Sequence, residues 1–139
     1  MDEAAARFLG HWHVDRHIMD FDSGWAGRFE GRAVFSPVPG GLAYEERGTL
    51  RLGGLRSEAF RRYLWRFPAP DEVAVHFEDG RFFHRFDPRR PEAAASHYCD
   101  PDLYEVTYFF PDPRHWRTEW RVEGPRKDYR LVTHYLRIG

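Results

Sequence analysis

His84 stands between Phe82 and Phe86 in the run FEDGRFFHRFD, and Glu46 alternates in phase with Tyr44 and Leu50. An imidazole in an apolar pocket near a carboxylate is a usable acid–base group at neutral pH. Each residue also has a plainer reading. Glu46 is equally suited to an internal ion pair with Arg16, and His84 to a core hydrogen bond with a backbone or tyrosine oxygen. His97 and Cys99 share one face two residues apart, as a thiolate–imidazole nucleophile would, although cysteine is also a common core residue. His11, His13 and His17 lie on one face of another run, and alternate strand positions project together as metal ligation requires. That face is opposite Trp12, so it reads as a solvent face and no metal site is expected. Gly124-Pro125-Arg126-Lys127-Asp128-Tyr129 is a turn whose adjacent cations suit a carboxylate or phosphate, or simply decorate a hairpin tip.

These residues are positioned by strands. Only the start reads as helix, with Asp2 as cap, Glu3 to Leu9 as helix formers and Gly10 as the stop. The remainder alternates with period two between short turns. Trp12, Val14, Arg16 and Ile18 share one face. Trp25, Gly27, Phe29, Gly31, Ala33 and Phe35 share another, as do Leu42, Tyr44, Glu46, Gly48 and Leu50. Tyr63, Trp65 and Phe67 follow, then Val73, Val75 and Phe77. Asp79-Gly80 is a hairpin signal, after which Phe82, His84 and Phe86 are expected to face inward. Runs at Ser96–Cys99, Leu103–Phe110, Trp116–Glu123 and Asp128–Arg137 complete about ten strands. No crossover helix separates them, so every neighbouring pair can be antiparallel. A closed all-β up-and-down barrel is the expected fold, its inward glycines permitting the bending that closure needs. A single domain over residues 1–139 is expected.

Composition narrows the function. Lys+Arg is 21 and Asp+Glu is 22, a net charge of −1. Without a basic excess, a nucleic-acid partner is not expected. No apolar run approaches a membrane span, and MDEAAARFLG carries no apolar signal region. Cys99 is the single cysteine. Together these point to a cytoplasmic setting. Every basic residue but Lys127 is arginine, which draws attention to that one lysine. Nothing in the sequence sets the oligomeric state.

Gly10-His11-Trp12 after a short helix resembles the calycin superfamily of lipocalins and fatty-acid-binding proteins. That resemblance implies an arginine on the last strand, here Arg137, packed over Trp12. The segments FLGHW, GRFEGRAVF, YEERGTLRL, FEDGRFFHRFD, DLYEVTY and VEGPRKDY resemble a bacterial family known as domain of unknown function 6314. Membership implies a lipocalin-like barrel in the cytosol and supplies no catalytic residues. Val132-Thr133-His134-Tyr135-Leu136 superficially resembles the haem-ligating segment of nitrobindins, which are ten-stranded calycin-like barrels. If Arg137 points inward, alternation puts His134 outside, so haem binding through it is not expected, and no cofactor is assigned.

The leading functional expectation is a small-molecule-binding barrel whose ligand is partly apolar with a polar or anionic end. The ligand-binding residues would be Glu46, Trp65, His84, Tyr104, Trp120, Lys127 and Tyr129. Two alternatives stand beside it. One is a cofactor-independent isomerase, cyclase or hydratase using His84, oriented by Glu46 or Asp87. The other is a solid-cored interaction domain.

Overall fold

The computed structural model describes residues 2–139. Asp2 caps α1 (Glu3–Phe8), its carboxylate accepting from the Ala4 and Ala5 amides. Ten strands follow: β1 (Gly10–Asp20), β2 (Ala26–Val38), β3 (Gly41–Leu52), β4 (Leu55–Ala69), β5 (Glu72–Phe77), β6 (Phe82–Phe86), β7 (Glu92–Cys99), β8 (Asp102–Asp112), β9 (His115–Gly124) and β10 (Lys127–Arg137). They form one antiparallel meander in the order β6-β5-β4-β3-β2-β1-β10-β9-β8-β7. The first and last strands pair in register, Trp12 opposite Arg137 and Asp20 opposite Tyr129. That pairing curls the sheet into a nearly closed barrel. The remaining seam lies between β6 and β7, the two edges of the sheet.

Alternation decides the interior. Trp12, Val14, Phe29, Ala33, Phe35, Leu42, Tyr44 and Trp65 are buried, while His11 and His13 are exposed. The helix plugs one end. Phe8 is fully buried and meets Trp65, Phe35, Trp116 and Phe110 at ring-centroid distances of 5.1–5.9 Å. Arg137 packs over the Trp12 ring at 4.1 Å and donates to the Leu9 and Arg7 carbonyls, so the last strand grips the end of the helix. The β1–β2, β3–β4, β5–β6, β7–β8 and β9–β10 turns all lie at the opposite end, which forms the mouth.

Two facing expectations fail. Phe82 is 50% exposed, whereas Phe83 and His84 are both buried. The β5–β6 register shifts here, Val75 opposing His84 while His76 opposes Phe82. Phe83 is therefore an extra residue, and such a bulge resets the parity of everything beyond it. Trp25 is 54% exposed and lies just outside β2, in the turn where no neighbouring strand covers it. The helix also ends one residue earlier than expected, at Phe8, and Gly10, with φ of 109°, opens β1.

Candidate functional site

A cavity of about 130 Å³ lies inside the barrel above the helical plug. Its base is aromatic. Trp116 stacks on Tyr135 at 3.7 Å with rings 4° from parallel, and Trp65 meets Trp116 edge-on at 6.1 Å. Trp120 and Phe83 stack at 5.2 Å on another wall. Toward the mouth it is bounded by Arg61, Tyr63, Tyr104 and Tyr129.

One wall is polar. Arg16 on β1 and Glu46 on β3 project inward across β2, where Ala33 pairs with Glu46 and Phe29 pairs with Arg16, whose guanidinium lies 5.2 Å over its ring. Their side chains form a bidentate pair at 2.6 and 2.9 Å, and Arg16 Nε also donates to Thr133 Oγ1 at 2.8 Å. The Tyr44 hydroxyl donates to Glu46 and lies 3.3 Å from the Tyr135 hydroxyl. Burial alone would raise the Glu46 carboxyl; hydrogen bonds and charge from Arg16, then Arg61 and Tyr44, outweigh it and hold the group below its usual range. Burial works to lower the Arg16 guanidinium, but Glu46 raises it, so both partners stay ionised. The sequence therefore identified the Arg16–Glu46 pair correctly, and it borders the cavity.

His84 is 3% exposed, and its Nε2 lies 2.7 Å from the Tyr108 hydroxyl. Burial, with a smaller contribution from His97, lowers its pKa from 6.5 to about 3. Its partner is a tyrosine, as the plainer reading expected, and neither Glu46 nor Asp87 bonds to it. Among the described residues, His84 Nδ1 and Trp116 Nε1 are buried polar atoms without a hydrogen-bond partner, and both side chains line the cavity.

The other candidates divide. Glu46, Trp65, His84, Tyr104, Trp120 and Tyr129 line the cavity. Lys127 does not; its ammonium lies 3.0 Å from Asp102 and donates to the Tyr104 hydroxyl at 3.0 Å, bracing a rim residue. Those two hydrogen bonds raise its pKa. His97 is half-buried against Phe83, but Cys99 is exposed at the end of β7, so the two do not form a site. His134 points away from the cavity and sits 3.2 Å from His115. No group of three or more His, Cys, Asp or Glu among the described residues is placed to hold a metal ion. No helix among them is long and apolar enough to cross a membrane. Sequence reasoning missed Arg61, although it shares the parity of Tyr63 and Trp65.

An antiparallel up-and-down barrel with an aromatic cavity and one polar wall defines the class of this protein. Within that class the chain belongs to the family of unknown function DUF6314, which it matches over residues 8–137. No curated protein matches it in sequence. Among solved structures it is similar to the S-type phycobiliprotein lyase CPES from Guillardia theta, with a TM-score of 0.69, 7% identity, and coverage of 99% of this chain and 92% of that one. It is also similar to EF1p2_mFAP2b bound to DFHBI, with a TM-score of 0.54, 14% identity and 99% coverage of both chains. A third similarity is to a de novo designed fluorescence-activating β-barrel, with a TM-score of 0.51, 15% identity, and coverage of 99% of this chain and 100% of that one. At these identities the likeness is one of fold.

Proposed function

We propose that this protein is a small-molecule-binding barrel that takes a partly apolar ligand with a polar end. The observation that carries the reading is the cavity itself, with an aromatic base and a fully paired ionic wall. The fold neighbours add support, since one is described as bound to DFHBI and another as fluorescence-activating. Trp65, His84, Trp120 and Glu46 would surround the guest, Tyr104 and Tyr129 would flank its entry, and Lys127 would act through Tyr104.

Two observations weigh against the alternatives. A histidine with a pKa of about 3 is neutral at pH 7 and a weak base, poorly matched to acid–base catalysis. A hollow interior does not suit a solid-cored interaction domain. A single domain over residues 1–139 and a cytoplasmic setting belong to the same proposal, supported by the β1–β10 pairing and by the free, exposed Cys99.

Native mass spectrometry of gently purified protein, with a thermal-shift screen of a metabolite library, tests the reading. A retained mass, or a compound that raises Tm in proportion to its saturation, is the expected result. A bare protein that no compound stabilises would remove the proposal.

A further inference from the structure

The charged side chains that line the cavity are Arg16, Glu46 and Arg61. Arg16 and Glu46 cancel in a close bidentate pair. Arg61 remains. Its Nε is 3.9 Å from Glu46 Oε2, beyond hydrogen-bond distance, and that carboxylate is already claimed by Arg16 and Tyr44. The neighbouring cation at the rim, Lys127, is offset by Asp102. The cavity thus carries one uncompensated positive charge, on an exposed side chain at the mouth. His84 adds none, because burial keeps its ring neutral.

Size and walls set the rest of the guest. An apolar cavity of roughly 150 Å³ admits benzene; at about 130 Å³ this one is of that scale, which limits the guest to a single ring with its substituent projecting through the mouth. The base offers edges and faces of Trp65, Trp116 and Tyr108, which favour a flat π-system.

We propose that the cavity binds a single-ring aromatic monoanion, ring first, with its anionic group held by Arg61. This rests on the ligand-binding reading above and names its ligand class. Isothermal titration calorimetry with three near-isosteric probes tests it: 4-hydroxyphenylacetate, neutral tyrosol and cationic tyramine. The hydroxylated acid should bind about tenfold more tightly than tyrosol, the scale of one charge-assisted hydrogen bond. Tyramine should be weakest. Arg61→Gln should bring the acid to within about threefold of tyrosol and leave tyrosol unchanged. Arg61 is exposed, so this variant should fold, which its urea denaturation midpoint checks. Tyrosol or tyramine binding as tightly as the acid would overturn the assignment, as would a preference that survives Arg61→Gln. If no probe binds but a different ligand copurifies, the ligand class falls and the binding reading stands. If no probe binds and nothing copurifies, both fall.

Discussion

Arg16 and Glu46 are 5% and 2% exposed, and each is tolerable inside the barrel only because of the other. Removing one partner of such a pair typically costs about 3–5 kcal/mol, whereas replacing both with apolar residues is often close to neutral. Arg16→Met should therefore lower stability in urea denaturation by that amount. Adding Glu46→Leu to it should restore much of the loss. A second prediction concerns pH. His84 is depressed in the fold to about 3 from 6.5, so the unfolded chain binds a proton there that the folded one refuses. Its contribution is present in full above pH 6.5 and drains away as pH falls toward 3, at about 1.4 kcal/mol per pH unit. Glu46 is depressed too, but its contribution is lost only below its usual value of 4.5. Between pH 6.5 and 5 the two separate. His84→Gln should flatten the dependence of urea midpoint on pH in that window, and an unchanged slope would show that His84 does not carry it.

Gly31 and Gly48 face each other across the β2–β3 ladder. A Cβ added to Gly48 would lie 2.2 Å from the Glu30 carbonyl oxygen, and one on Gly31 would lie 2.1 Å from that of Arg47. The close approach of these backbones is what lets the sheet bend beside the ionic wall. Gly48→Ala should cost about 1–3 kcal/mol by chemical denaturation, the scale of overpacking. The inward parity of these glycines was legible in the sequence, as was that of Trp12, Arg16, Glu46 and Trp65, because alternation is a local property. The bulge at Phe83 was not. Asp79-Gly80 suggests a two-residue hairpin that would preserve parity, but the loop instead closes through the Phe77 amide donating to the Arg81 carbonyl. The extra residue is selected by room in the interior for both Phe83 and His84, a tertiary demand with no signature in neighbouring residues. Arg61 was overlooked for a related reason. A cation next to Arg62 reads as surface until the Glu46–Arg61 pairing across β3 and β4 is known.

The molecule as a whole is a sheet rolled until its edges almost meet. Nine of the ten junctions are hydrogen-bonded ladders, and the β6–β7 seam is held by side chains, His97 against Phe83 and Phe77. The loop between those strands is tied down where the Arg7 guanidinium donates to the Pro88 carbonyl at 2.7 Å. Local stability follows such ladders. Hydrogen exchange should be fastest among strand amides facing the seam on β6 and β7, and slowest at the β1–β2 and β1–β10 ladders; uniform protection around the barrel would contradict this arrangement. The ring of aromatics that closes the interior also makes the protein its own light source. Trp12, Trp65, Trp116 and Trp120 all lie within the barrel, and only Trp25 faces the surrounding water. A guest that absorbs in the near ultraviolet would sit against Trp65, Trp116 and Trp120 and drain their excitation, while Trp25 glowed on unaffected. Trp25→Phe leaves a chain whose emission comes from the interior alone, so that occupancy is visible as colour and brightness without any label.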